Sequence, residues 1–443
     1  MKIGYPTSRR EFLKGSLIGG AAALAVWRLP SAHAAEVSEA APPAGPATAA
    51  AGQGTSRVAL ATGNDRANLA FKALEPFKRE IAAAIGNKRV ILKPNNVIIN
   101  RPLCATHADN LEGILEFLKS IGKTNVVIAE SPAMGSALEG FSNYGYNKFV
   151  GQYGVKLLEI DKEGYEVMHC IDQTDFRPRA VRMSKLLTGP DNFVISAAVM
   201  KTHDLVGITL SLKNVVVGAP IKDAGAGLGR GGPGGGRSDK PITHGGGSYG
   251  INYNLFSLAP RLHPHLAVID GYQGMEGTGP VNGTPVDHKV CVASLDWLAA
   301  DRVAAELMGV DVGKIGYLTY CIQAGDLGQG DLSKIEIVGP ALKDHVRTYQ
   351  LPRNWDKITS WQQPLAKVRG RNDAIGNVGR GRRTPPLLSE RFQEDRGRVC
   401  RAVAKPSFFC HSERSEESRA ILADGQSDGS FAALLMNGPG LSS

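Results

Sequence analysis

Arg89-Val90-Ile91-Leu92-Lys93-Pro94-Asn95-Asn96 decides the fold. Three aliphatic residues in succession, without polar alternation, suit a strand buried on both faces, and the run halts in a Lys-Pro-Asn-Asn break. Downstream, Thr106 caps a helix whose Leu111, Ile114, Leu115 and Leu118 form one stripe, with Asp109 as the answering residue of a capping box. Residues 125–129 (NVVIA) return to strand and stop at Glu130-Ser131-Pro132. Upstream, residues 57–61 form a short strand, and Ala70, Leu74, Phe77, Ile81 and Ala84 recur at helical spacing, with Pro76 placed to split that helix. Residues 193–199 and 266–269 repeat the strand pattern, and Ser294 or Asp296 caps a helix bearing Trp297, Ala300, Ala304 and Leu307. The alternation predicts an α/β fold: a mostly parallel sheet with helices on both faces, as one body over 57–349 or as two lobes, 57–190 and 191–349, with the site between them.

The chain has 443 residues, 51 basic and 42 acidic, for a net charge of +9. Five basic and one acidic residue lie in 1–34, fifteen and ten in 351–443, leaving 31 of each sign between. The body is neutral, so a nucleic-acid-binding or membrane-surface reading has no support. Cys104, Cys170, Cys291, Cys321, Cys400 and Cys410 lack metal-finger or cluster spacing, so no iron–sulfur or structural zinc site is expected. Disulfide pairing in an exported chain stays open.

In parallel sheets ligands lie beyond the carboxyl ends of the strands, and the residues there are polar. They are Lys93-Pro94-Asn95-Asn96, Glu130-Ser131-Pro132, Lys201-Thr202-His203 and Asp270-Gly271. Any one alone reads as a turn or a cap; four together point to a common pocket. Lys93, Lys201 and Lys213 outnumber Glu130 and Asp270, which suits a carboxylate or phosphate ligand. Lys93, Asn95, Thr202 and Asn214 are the expected substrate-binding residues, Lys201, His203 and Lys213 the catalytic ones. His203, held near a lysine, is expected to stay neutral and act as a base, against a bland structural role. Glu130, Asp270 and Glu276 are candidates for a divalent cation, the last two flanking a Gly-rich loop over 270–280. No cofactor is specified.

The glycine-rich run 225–247 carries Arg230, Arg237, Lys240 and His244. Gly227, Gly229 and Gly232 match a dinucleotide fingerprint by letters only, because no strand enters and no helix follows. The run reads as a lid over the pocket or as a plain flexible insertion.

Ser8-Arg9-Arg10-Glu11-Phe12-Leu13-Lys14, an apolar run over 15–26 and a small-residue end at Ala32-His33-Ala34 resemble a twin-arginine export signal cleaved after Ala34. That resemblance implies the twin-arginine translocase as a partner and a periplasmic location. The apolar run is too short to span about 30 Å of hydrocarbon, so no stable membrane anchor is expected. Residues 35–56 read as an Ala/Pro/Gly linker. Beyond about Tyr349 the periodicity fades, and residues 350–443 read as a disordered tail. Within it, residues 411–419 (HSERSEESR) resemble the translation of a repeated intergenic DNA element, which marks the tail as a frameshift or readthrough product.

Lys93-Pro94-Asn95, Glu130-Ser131-Pro132, Lys201-Thr202-His203 with Thr209, Lys213-Asn214, the 270–280 run and residues 301–309 resemble the domain of unknown function 362 family over about 57–339. The family name carries no activity. The stretch from Lys201 to Lys213 is also similar to a segment of the nickel-pincer lactate racemase family. That likeness implies proton transfer by His203 and cofactor attachment at Lys213, although Glu130-Ser131-Pro132 stands where that family has an earlier His. The expectation is an exported enzyme acting on a small anionic substrate through His203, with a periplasmic binding protein without turnover, or racemase-like metal chemistry, as alternatives.

Overall fold

The computed structural model describes residues 54–226 and 236–362. The segments 1–34 and 35–53, the fingerprint glycines 227–232, the greater part of the tail, Cys400 and Cys410 lie outside the described residues. The strands are β1 (Ser56–Thr62), β2 (Arg89–Lys93), β3 (Val126–Glu130), β4 (Lys156–Glu159), β5 (Tyr165–Ile171), β6 (Pro178–Ser184), β7 (Asn192–His203), β8 (Gly207–Thr209), β9 (Leu266–Glu276), β10 (Thr284–Ser294) and β11 (Ile335–Val338).

One nine-stranded sheet runs β11-β1-β10-β9-β7-β2-β3-β4, with β8 folded back on β7. The pairs β1–β11, β2–β3, β2–β7, β3–β4 and β7–β9 are parallel, whereas β1–β10, β9–β10 and β7–β8 are antiparallel. The fold is α/β with a mixed, mostly parallel sheet. Strands from both 57–190 and 191–349 enter it, so these segments share one sheet and not two lobes. β5 and β6 form a separate two-stranded sheet.

Burial on both faces follows from the aliphatic runs. Along β7, Phe193, Ile195 and Ala197 pack with the helices Arg66–Leu74, Lys78–Ile85 and Ala108–Ser120. Val194, Ala198 and Met200 face the helices Ser211–Gly218, Ser248–Leu258, Trp297–Leu307 and Gly316–Ala324. The period of two within a fully buried strand assigns alternate residues to two cores.

Local chemistry sets the boundaries. A 3-10 turn at Glu75–Phe77, with Pro76 inside it, separates the helices Arg66–Leu74 and Lys78–Ile85, as expected for a ring that lacks an N–H. Asp296, not Ser294, caps Trp297–Leu307 by accepting from the Leu298 and Ala299 amides. The capping box at Thr106 does not form. His107 is the N-cap of Ala108–Ser120, because the Thr106 hydroxyl is used between strands, accepting from Asn95 N and donating to Ala197 O.

Packing also continues past Tyr349. Trp361 is buried, donates its indole N–H to Lys314 O and meets Tyr320 edge-on, and Asn354 donates to Asp204 O beside the β7–β8 turn. Four described cysteines, Cys104, Cys170, Cys291 and Cys321, are buried. Among the described residues no helix is long and apolar enough to cross a membrane.

The helices Arg66–Leu74 and Ala108–Ser120 approach closely at Gly113, where an added Cβ would lie 2.0 Å from the Ala67 carbonyl oxygen. Gly113→Ala must separate two backbones, and overpacking of this kind costs about 1–3 kcal/mol. A lower Tm in thermal unfolding, with the same midpoint loss in urea, is the expected outcome.

Candidate functional site

The carboxyl ends of β2 and β3 form a closed polar knot. Lys93 Nζ donates to both Glu130 oxygens at 2.9 and 3.1 Å, to Asn214 Oδ1 at 3.2 Å and to Pro94 O at 3.0 Å. Glu130 also accepts from the Asn96 and Ser131 amides at 2.8 Å each. Asn95 Nδ2 donates to Asn214 Oδ1, and Asn214 Nδ2 to Ser196 Oγ. Lys93 and Glu130 are almost fully buried, so each satisfies the other in a medium where an unpaired charge is costly.

Lys93, Asn95, Glu130 and Asn214 therefore come together as expected, but as a self-satisfied network. They position the helix Ser211–Gly218 more than they offer free binding groups. The two tips adjoin because β2 pairs with β3 and β7 in parallel, Leu92 lying opposite Ile128 and Ile195.

The second half of the site is different in kind. β7 ends at Lys201-Thr202-His203 and turns back through Gly207, whose φ of 85° is open to glycine, to pair Lys201 with Thr209. Lys201 Nζ donates to Cys104 O at 2.8 Å, and burial lowers its pKa to about 8. Thr202 is spent on structure, its hydroxyl donating to Gly277 O.

Lys213 lies on the helix Ser211–Gly218, whose first two amides are held by the buried Asp301 carboxylate at 2.8 and 3.1 Å. The residue is 5% exposed, and its amine makes no hydrogen bond or ion pair among the described residues. Burial first, then the charge of Lys201, lowers its pKa to about 7, against a smaller opposing effect of Asp204.

His203 is buried and neutral. Desolvation, then Lys213, His244 and Lys201, hold its pKa well below the usual 6.5. Its Nδ1 accepts the Leu205 amide at 3.0 Å, so in the neutral ring the proton sits on Nε2. His203 thus presents a donor to the site, where a base was expected.

The missing acceptor is His244. Its Nδ1 lies 2.9 Å from Lys240 O, which as an acceptor fixes the hydrogen on Nδ1 and leaves the Nε2 lone pair open. Burial, then Lys213, lowers the His244 pKa to about 4. The sequence hid this residue in a glycine-rich run read as loop. Residues 240–243 form a short helix, Lys240–Thr243, anchored by the fully buried Asp239, which takes Arg182 and Arg237. Asp-Lys-Pro, with Pro241 in the first turn of the helix, was the available signal. Lys240 itself is buried, donating to Gly218 O and Pro220 O, with burial lowering its pKa to about 8.

Fully buried polar atoms near these groups, Asn95 Oδ1 and Thr209 Oγ1 among them, have no hydrogen-bond partner among the described residues, while Asp204 Oδ1 has only His203 Nδ1 at 3.3 Å. Each orphan costs about 1–3 kcal/mol unless a ligand or water meets it.

The carboxylates suggested for a cation do not assemble. Asp270 lies within β9, which does not end there but continues to Glu276 because it pairs antiparallel with β10 along that length. It faces Arg66 at 3.4 Å and accepts the Tyr272 amide. Glu276 accepts the Gln350 amide, and Glu130 is held by Lys93. Among the described residues no group of three or more His, Cys, Asp or Glu side chains is placed to hold a metal ion.

Residues 90–306 match the family model described as Domain of unknown function (DUF362). The matched span covers the polar knot, the β7–β8 hairpin, Lys213, His244 and Asp301. A thylakoid-associated protein of Synechocystis sp. is 26% identical over 229 residues, covering 51% of this chain and 65% of that protein, so the chain spans a little under two thirds of that relative's length. The lactate racemase apoprotein of Thermoanaerobacterium thermosaccharolyticum superposes with a TM-score of 0.35 at 12% identity, over 58% of each chain.

Two outcomes test this geometry. Glu130→Gln leaves Lys93 buried without its counter-charge and is expected to cost about 3–5 kcal/mol in urea unfolding. Lys213→Met removes a buried amine whose folded pKa lies below its unfolded value of 10.5. Between about pH 7 and 10.5 the unfolded chain binds the extra proton, so wild-type stability rises with pH across that window. The Met variant is expected to be more stable by a few kcal/mol below about pH 7, with the gain vanishing above about 10.5, in thermal melts across pH.

Proposed function

We propose that the chain is an enzyme acting on a small anionic substrate, exported by the twin-arginine route. The observation that carries the enzymatic reading is a buried, unpaired Lys213 amine beside Lys201, with two neutral imidazoles whose Nε2 atoms have opposite character. Lys201 and Lys213 attract a carboxylate or phosphate. The Nε2–H of His203 hydrogen-bonds to an oxygen on which negative charge develops, and the Nε2 lone pair of His244 takes a proton. Burial keeps both rings neutral and withholds water, which strengthens each interaction. Export is supported by the motif around Arg9 and Arg10 and the small residues ending at Ala34.

An anion recharges the lysines, so binding is coupled to proton uptake above about pH 7. A thermal-shift screen of small carboxylates and phosphates, followed by turnover assays on the stabilising compounds, tests the proposal. His203→Gln and His244→Gln are each expected to bind the selected anion but to lose about 10²- to 10⁴-fold in turnover. Stabilisation without turnover by the wild type would instead establish a binding protein. An unchanged rate in both variants would remove the imidazoles from the mechanism.

A further inference from the structure

Lys213 is unusual among the buried lysines of this protein. Lys93 has Glu130, Lys201 has Cys104 O, Lys222 donates to Gly135 O and Lys240 to two carbonyls, whereas the Lys213 amine has no partner among the described residues. An anion site needs its cations charged, and a group meant only to attract charge would be held by hydrogen bonds that favour the ammonium. Lys213 is held by none, and its nearest charged neighbours include another lysine. Desolvation beside a second cation is the arrangement that makes a lysine a nucleophile, because it keeps the nitrogen lone pair free at neutral pH.

We infer that Lys213 forms an imine with the carbonyl group of a 2-oxo carboxylate, Lys201 pairing with the carboxylate and His203 Nε2–H meeting the carbonyl oxygen. This rests on the reading of the site as one for small anions and specifies which anions. The Lys213 lone pair adds to the carbonyl carbon, the C–O π pair moves to oxygen, and the nitrogen's proton passes by way of His244 Nε2 to that oxygen. The resulting carbinolamine loses its hydroxyl as water, taking the second nitrogen proton, and a C=N bond replaces C=O. Amine and ketone give imine and water with no oxidant or reductant required. The helix bearing Lys213 is pinned at its start by Asp301 and, one residue beyond Lys213, by Asn214 in the Lys93 network, so the backbone that carries the amine is held in place.

The test uses the full-length protein with pyruvate or 2-oxoglutarate and sodium borohydride, followed by peptide mapping by mass spectrometry. The expected result is a reduced adduct on the peptide containing Lys213, with an added mass equal to that of the acid less one oxygen atom, since water is lost in the imine and two hydrogens are gained on reduction. Lys213→Arg, which keeps the charge without a nucleophilic amine, should lose it. Propionate and glutarate, which lack the carbonyl, are tested for binding by thermal shift in parallel. Binding of these acids with no adduct from the oxo acids would overturn the imine while leaving the anion site standing. Binding of neither class would overturn both. An adduct confined to other lysines, or unchanged in Lys213→Arg, would also overturn the assignment, and mapping on the wild type decides this even if the variant folds poorly.

Discussion

Glu130 is the constraint on which the site depends. A carboxylate buried at the tip of β3 must find compensation, and it does so from Lys93 and from the amides of Asn96 and Ser131. Those bonds fix the tips of β2 and β3, and Lys93 and Asn95 together engage Asn214. The helix Ser211–Gly218 is consequently hung between two buried carboxylates: Asp301 at its N-terminal amides and, through Lys93, Glu130. Burial raises the Asp301 pKa to about 7, so even this anchor is strained electrostatically. Both carboxylates are committed, to backbone amides and to Lys93, and neither pairs with Lys213. The bare amine is a consequence of how completely its neighbours are satisfied.

The sheet and its polar strand ends were legible in the sequence, because fully aliphatic runs announce strands buried on both faces and sharp polar breaks announce where they stop. Lys93, Glu130, Lys201 and His203 were singled out by that rule, whereas Lys213 and Asn214, which lie on a helix, were singled out from the stretch that follows Lys201. Their division of labour was not. Lys93 and Lys213 look alike in sequence, yet one is neutralised by a residue 37 positions away and the other is left unpaired. Only tertiary pairing separates them. The same reason explains Thr106, whose helix-cap pattern loses to a hydroxyl bridge between Asn95 and Ala197, and Thr202, whose hydroxyl goes to Gly277.

Asp270 and Glu276 were misplaced for a topological reason. The rule that function lies at strand ends presumes parallel strands that end together. β9 is parallel to β7 on one side but antiparallel to β10 on the other, and the second pairing carries it on to Glu276. The two carboxylates are thereby spread along one strand and answered separately by Arg66 and by the Gln350 amide. His244 was obscured by composition: glycines on both sides suggest an unstructured run, whereas buried Asp239 organises the turn that delivers the ring.

Burial acts in one direction on five basic groups around the β7–β8 hairpin. Lys201, Lys213, Lys240, His203 and His244 all have their pKa values lowered, so both rings are neutral and Lys213 is only partly charged near pH 7. A cluster stabilised by salt bridges would hold an anion with groups already committed to one protonation state, and could not pass protons without breaking those bridges. Here the protons are loosely held and His244 Nε2 is open, so under the proposed function an arriving anion would set the charge of the site for the duration of its stay. Neutral imidazoles with opposed tautomers then provide a donor and an acceptor simultaneously, which two protonated rings could not do. The instability of unpaired Lys213 is the cost of keeping that readiness, and Glu130 and Asp301 supply the rigidity that lets the fold tolerate it.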